Sequence, residues 1–259
     1  MSSVKSPVVA LIPAKSRSTG IEGKNFRLLG GKPLWQHAAD CAKQAMRLQG
    51  VQGRVVLSSD TEIIEWPHQY RADEGLQPFI RPAELCQDDT PMFDVVVHAV
   101  QQLQLSEDTI ILLLQPNAVF RKPAYLQAAL ACLSATGADS VVSVVELPKT
   151  HHPDFQLEID KGELWVWPLP NFEDENYVLP DDLGMPSRRQ DVGQTYIRDG
   201  TVYAFPVRTL AGGSIYGEHV RPLIIPAADS CELDTIEHWA DVERRWHAKH
   251  ETDYWPHRS

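Results

Sequence analysis

A chain of 259 residues, 43% of them hydrophobic, can bury a sizeable core, and one large α/β domain suits it as well as two small ones, the single domain being the default. The formal net charge of −11 disfavours a protein whose main partner is a nucleic-acid backbone, because that binding is driven by Lys and Arg displacing counterions. No apolar run approaches the length that spans a bilayer, and the opening MSSVKSPVVALIPA lacks the apolar stretch and cleavage site of a signal peptide, so a cytoplasmic location without membrane contact is expected.

Short β-branched runs alternate with longer amphipathic stretches. In chain order, 8–12 reads as a strand, 33–48 as a helix opened by Pro33, 55–57 as a strand and 93–103 as a helix. Then come a strand at 110–114, a helix at 123–135 opened by Pro123, strands at 140–145 and 201–205, and a final helix at 235–249. The alternation predicts an α/β fold, a mostly parallel sheet covered on both faces. Such sheets place ligands outside the carboxyl ends of their strands, so chemistry is expected after Ile12, Leu57, Leu114 and Phe205. From 150 to 200 the rhythm breaks into Pro, Asp, Glu and aromatic residues, with a hairpin expected over 155–159 and 163–167, turning at Lys161 and Gly162. This insertion suits a lid or a subunit contact. Trp165 and Trp167 fit an interface anchor or equally the insertion's own small core. The chain after Glu251 is expected to fray. Cys41, Cys86, Cys132 and Cys231 lie far apart without a CxxC pair, which predicts buried thiols rather than a zinc site or a disulfide framework. The histidines suggest no ligand set: His98 lies on an apolar helix, and His151 and His152 have no metal-ligand partner nearby.

The segment IPAKSRSTGIEGKN, residues 12–25, follows the first strand directly. Lys15, Arg17 and Lys24 among small residues can turn backbone N–H groups and cations toward a triphosphate, or can be a solvated basic loop. Position at the end of the first strand, just before the GGKPL turn at 30–34, favours the former. No GxxxxGK[ST] is present, so an ordinary P-loop ATPase is not supported.

With these motifs the chain resembles the acidic-sugar cytidylyltransferases, above all the CMP-N-acetylneuraminate synthetases, whose first loop follows IPARxGSKxIxxKN and runs into LxGKPL. The resemblance extends through LSSDTEII at 57–64, RPAEL with DDT at 81–90, DVVVHAV at 94–100, LLQP at 113–116, ADSVVSV at 138–144, HHP at 151–153, RRQ at 188–190 and ELDT at 232–235. It implies a Rossmann-like, doubly wound α/β fold, a homodimer and a Mg2+-dependent transfer of CMP from CTP to the anomeric hydroxyl of an acidic 2-keto sugar, releasing pyrophosphate. The partners are then CTP and a small acidic acceptor. The same transfer onto a Kdo-like sugar or a phosphonate, and a non-catalytic nucleotide-binding role, are the alternatives.

Carried over by position, the resemblance places Ala14, Lys15, Ser18, Lys24, Asn25 and Arg81 at the nucleotide. Lys24, Arg17 and Asp234 become catalytic, and Gln115, Arg188, Arg189, Gln190 and Tyr196 meet the acceptor, an Arg fork matching its carboxylate. Asp234 and Glu232 would hold Mg2+, since residues two apart on an extended strand face the same way. The pair also reads as the acidic start of the last helix, with Asp234 as its N-cap. The chain departs from the family pattern at Lys15 for Arg, Thr19 for Lys, Glu232 for Asp, NAVFR for TSPLR after LLQP, and Phe155 for Lys after HHP.

Overall fold

The computed structural model describes residues 6–18, 20–60, 75–160, 163–166, 188 and 190–250, with only the backbone described over 157–160 and 163–166. Thr19, Arg189, Trp167, the side chain of Trp165, the Lys161–Gly162 turn and the chain after Glu251 lie outside the described residues. The chain divides into two compact units, one formed by Met1–Val144 with Asp199–Ser259 and the other by Val145–Arg198. The expected insertion, 150–200, overlaps the second unit.

The larger unit is built on a seven-stranded sheet. Its strands are β1 (Val8–Pro13), β4 (Gly53–Ser59), β5 (Leu76–Ile80), β6 (Ile110–Leu113), β7 (Ser140–Glu146), β10 (Tyr196–Pro206) and β11 (Val220–Ile225), in the order β11-β7-β10-β6-β1-β4-β5. A two-residue pair, β2 (Leu28–Leu29) with β3 (Lys32–Pro33), forms the GGKPL turn. The helices are α1 (Leu34–Gln49), α2 (Met92–Gln102), α3 (Pro123–Thr136) and α4 (Ile236–His250). Pro33 is the N-cap of α1 rather than its first turn, while Pro123 takes the first turn of α3 as expected.

β1 shows why the sheet is covered on both faces. Val8, Ala10 and Ile12 pack with Trp35 and Ala42 of α1 and Leu126 and Leu130 of α3. The alternate residues Val9 and Leu11 pack with Val96 and Ala99 of α2 and with Phe205. Successive side chains of a strand point to opposite faces, so a strand buried on both sides reads as a continuous apolar run, which is what VVALI is. A third cluster joins Ile21, Leu29, Leu34, Val119, Phe120 and Leu233 to Trp239 and Val242 of α4. It fixes the first loop and the approach to the last helix to one apolar patch.

The two strands not foreseen, β5 and β11, are the two edges of the sheet, and each carries a proline, Pro78 and Pro222. Proline cannot donate to a ladder and is confined to such edges, which hides them from a search for β-branched runs. β1 runs parallel to β4 and β6, and β4 parallel to β5, whereas β10 runs antiparallel to β6. This corrects one expectation. The segment after Phe205 lies at the far end of the sheet, and it is the beginning of β10, at Gly200 and Thr201, that meets the carboxyl end of β6. The smaller unit holds the hairpin β8 (Leu157–Asp160) and β9 (Glu163–Val166), paired so that Asp160 faces Glu163. All four cysteines are free, but only Cys41 is buried outright. Burial pushes its thiol up to about 11. No helix among the described residues is long and apolar enough to cross a membrane.

Candidate active site

Four strand ends converge at the carboxyl edge of the sheet. Ala14 leaves β1 with its N–H donated to the Ser58 carbonyl at 2.8 Å, Arg81 leaves β5 with its N–H on the Ser59 carbonyl at 2.6 Å, and Leu114 leaves β6 with its N–H on the Leu11 carbonyl at 2.9 Å. These ladder extensions set a cleft of about 240 Å³ whose walls include Pro13, Lys15, Lys24, Asn25, Arg81, Gln87, Asp88, Met92, Gln115 and Asn117. Five residues expected at the nucleotide or the acceptor, far apart in sequence, thus share one cavity.

The first loop is held from below. Asn25, buried in a short 3₁₀ turn, donates from Nδ2 to the Lys15 carbonyl at 2.9 Å, and Asp60 accepts from the N–H and the hydroxyl of Ser16 at 2.6 and 2.9 Å. Asn25 therefore braces the loop across ten residues. Lys15 reaches over the cleft to Asp88 and to the Gln87 carbonyl. Lys24 turns the other way, donating to the Leu233 carbonyl at 2.8 Å and to Asp234 Oδ1 at 2.9 Å. An ammonium has three donors, so one N–H of Lys24 remains for a ligand in the cleft it lines. Arg81 is only 4% exposed, and its Nε is buried without a hydrogen-bond partner among the described residues. Leaving a buried donor unmade costs about 1–3 kcal/mol.

At the carboxylate turn, Leu233 is fully buried while Glu232 and Asp234 on either side keep 80% and 70% of their side chains exposed. The segment is irregular rather than the expected strand, yet the alternation is retained, because burying a leucine is worth about 1.5–3 kcal/mol and turns its two neighbours outward together. Thr235, not Asp234, caps α4: its hydroxyl accepts the N–H of His238 at 3.3 Å. The Asp234 carboxylate is thus free of the capping role and faces Lys24 instead. Glu232 Oε2 lies 3.6 Å from His238 Nε2. Among the described residues no cluster of three or more His, Cys, Asp or Glu side chains could hold a metal alone.

The remaining expectations separate. The N–H of Ala14 is spent within the sheet, and its side chain is buried. Arg17 is exposed and Ser18 half-buried, and neither lines the cleft. Arg188, Gln190 and Tyr196 belong to the smaller unit, where Arg188 grips Asp191 with Nε and Nη2 at 3.1 and 3.2 Å. His152 accepts the N–H of Asp154 at 3.2 Å and so caps a turn.

A family model described as cytidylyltransferase matches residues 9–153, more than half of the chain and all four strand ends that set the cleft. The chain belongs to the cytidylyltransferase family. Among its relatives, the CMP-N,N'-diacetyllegionaminic acid synthase of Legionella pneumophila is 30% identical over 92% of this chain and 95% of its own length. An N-acylneuraminate cytidylyltransferase of Streptococcus agalactiae is 25% identical over 75% of this chain, which spans 42% of that longer protein. The fold is that of a CMP:2-keto-3-deoxy-manno-octonic acid synthetase solved with CTP, at a TM-score of 0.63 and 16% identity over 94% of this chain and all of that one. A 4-diphosphocytidyl-2C-methyl-D-erythritol synthase shares it at 0.57 and 13% identity, over 93% and 98% of the two chains.

Two residues of this cytidylyltransferase escaped the sequence reading. Asp88, in the DDT motif, is the acid that holds Lys15. Arg121, from NAVFR, is buried and donates to the carbonyls of Gln115 and Thr201, both at 2.6 Å, and of Gly200 at 3.5 Å. Burial lowers the pKa of its guanidinium. It ties Gln115 to the start of β10. Gly200, at φ 73°, lies directly against Gln115: a Cβ there would collide with Oε1 and approach Cδ to 3.2 Å. Only local geometry reveals either contact.

Proposed function

We propose that this protein transfers CMP from CTP to the anomeric hydroxyl of an acidic 2-keto sugar of the nonulosonic class, releasing pyrophosphate, with Mg2+ as cofactor. The observation that carries the reading is the meeting of Lys15, Lys24, Asn25, Arg81 and Gln115 in one cleft, with Lys24 bonded to Asp234 behind it. Such a reaction asks for alignment and relief of phosphate charge rather than covalent help. Lys15 and Lys24 bring cations to the phosphates in a chain whose net charge of −11 would otherwise repel them. Arg81, on the wall of the cleft, meets the nucleotide, and Gln115, braced by Arg121, directs the acceptor. The acceptor class follows the legionaminic-acid relative, which this chain matches over nearly its full length.

The donor set fits magnesium. Asp234 and Glu232 are two hard, exposed carboxylates flanking a buried leucine, and Mg2+ is usually met by one or two carboxylates plus waters and substrate phosphates. Bound there, the ion would supply further charge relief at the phosphates. The unit Val145–Arg198, with Arg188, Arg189, Gln190 and Tyr196, is proposed to serve the acceptor and to pair two copies of the chain, and the protein is proposed to work in the cytoplasm.

Pyrophosphate release with each of the four nucleoside triphosphates and a panel of legionaminic, N-acetylneuraminic and Kdo-type acids tests the reading. Turnover with CTP and a nonulosonic acid is expected. Turnover only with a Kdo-type acid would move the acceptor class, and equal response to all four triphosphates would remove the cytidine selectivity. Sedimentation at micromolar concentration is expected to give a dimer, and a monomer would end that part of the proposal.

A further inference from the structure

The first loop grips the carboxylate turn at two points, and only one is the Lys24 ion pair. The other is Gly20. A Cβ at this position would collide with the Asp234 carbonyl oxygen and lie 3.1 Å from its carbonyl carbon. Its φ is not in the left-handed region, so the local backbone has no need of glycine. The glycine is needed for closeness alone. Neither partner can retreat to make room. Ile21, next to Gly20, is 4% exposed, Leu233, next to Asp234, is fully buried, and both belong to the cluster under α4. Close-packed interiors transmit such strain rather than absorb it.

We infer that Gly20 is a positioning residue for Asp234: the bare backbone at this point seats the Asp234 main chain, and with it the carboxylate, at a fixed distance from the phosphate loop. Lys24 then holds the side chain from the front while Gly20 sets the backbone from behind. The inference rests on the proposed reading of Asp234 as a metal carboxylate. The consequence is specific. Enlarging Gly20 should displace the carboxylate and weaken capture of the ion, while the cleft that takes the nucleotide, which Gly20 does not line, stays as it is.

The test is Gly20→Ala, with Mn2+ as a probe for the divalent site, read by water-proton relaxation in the presence of CTP, beside metal-free CTP binding by calorimetry. Wild type is expected to bind Mn2+ in the CTP complex, and Gly20→Ala to bind it at least fivefold more weakly with CTP affinity unchanged within twofold. Gly23→Ala is the control. It lies in the same loop at φ 61°, where an added Cβ meets nothing within 4 Å, so it strains the loop without a collision and should leave Mn2+ affinity within twofold. Should Gly20→Ala fail to fold, Ile21→Val loosens the same grip and is expected to weaken Mn2+ capture at least twofold. Unchanged Mn2+ affinity in the folded Gly20 variant, or in Ile21→Val where that stands in, overturns the inference. So does an equal loss in Gly23→Ala, or a parallel fall in metal-free CTP binding. Absence of Mn2+ capture by wild type with CTP would instead overturn the metal reading beneath it.

Discussion

Two aspartates five residues apart, Asp229 and Asp234, each meet lysine, and the contrast between them separates a structural ion pair from a working one. Asp229 is 5% exposed and saturated: Lys122 and Tyr125 donate to Oδ2, and Lys249 donates to Oδ1 at 2.8 Å. It fastens the end of α4 to the start of α3. Asp234 keeps 70% of its side chain exposed and has one lysine, Lys24. A carboxylate has room for about four hydrogen bonds or metal contacts. Asp229 spends three of these within the protein and is closed to solvent, whereas Asp234, mostly exposed, keeps capacity for a ligand. The same pair of residue types thus serves the fold in one place and a ligand in the other, and what distinguishes them is exposure and unspent coordination, not proximity.

The largest effect that would break this contrast is at Asp234. Asp234→Asn is expected to slow pyrophosphate release a hundredfold or more, about 3 kcal/mol at the transition state, with a melting temperature within about 2 °C of wild type. Thr235 keeps the helix cap in the variant, so stability has little to lose. Normal turnover with a normal Mg2+ requirement in Asp234→Asn would show that this carboxylate only balances Lys24. Lys24→Ala should be next. Loss of a charge-assisted contact is worth about 1.5–3 kcal/mol, or ten- to a hundredfold in CTP affinity by calorimetry, with cooperative melting retained. Unchanged affinity would remove Lys24 from the phosphate site.

Asp229→Asn should show the opposite pattern. Stability is expected to fall by about 2 kcal/mol, since a buried carboxylate loses charge-assisted bonds while the partly exposed lysines recover water, and the melting temperature by about 4–8 °C. Turnover at 25 °C should hardly change. The pH dependence carries a sign. Burial alone would raise the Asp229 carboxyl, but hydrogen bonds from Lys122, Lys249 and Tyr125 outweigh it and hold the group well below the usual carboxylate range. A depressed folded pKa contributes stability that is present above the unfolded value, about 4, and is lost as pH falls toward the folded one. The stability gap between wild type and Asp229→Asn, read by denaturant midpoints, should therefore stand at pH 7 and close below about pH 4. A gap that persisted or widened under acid would mean that the knot is held by packing.

What sequence could show was set by locality. The runs VVALI and IILL announced central strands because both faces are buried, and the loop cations were visible because they follow the first strand directly. Arg81 and Gln115 were placed by family likeness, and the fold brings them to the same cavity as Lys15 and Lys24. Strands β5 and β11 were missed because an edge strand with a proline has no signature beyond its neighbours. The direction of β10 was missed too, since an isolated strand reads the same both ways, and chemistry was expected after Phe205 when the end that meets β6 is Gly200. The choice of helix cap turned on one hydroxyl. Asp234 and Thr235 are both acceptable N-cap residues, and only their geometry assigns the cap to Thr235 and leaves the aspartate available.

The smallest expected effect, and the one that sharpens the contrast most finely, is at Glu232. It flanks the same buried leucine as Asp234, but it is 80% exposed, and its contact, His238 Nε2 at 3.6 Å, is beyond ordinary hydrogen-bond length. Among the described residues, none fixes its carboxylate as Lys24 fixes that of Asp234. An unfixed ligand tolerates a change of reach better than a fixed one, and Mg2+ commonly keeps several waters through which a shorter arm can still make contact. Removing one methylene therefore alters how Glu232 reaches the ion rather than whether it does. Glu232→Asp is expected to hold kcat within about threefold of wild type, a difference of about 0.7 kcal/mol, or to improve it, with an unchanged melting temperature. The Mg2+ concentration for half-maximal rate is the more sensitive reading, because the variant changes the ligand's length and not its charge. A fall in kcat as deep as that in Asp234→Asn would mean that the two carboxylates form one rigid site, and that exposure does not separate them after all.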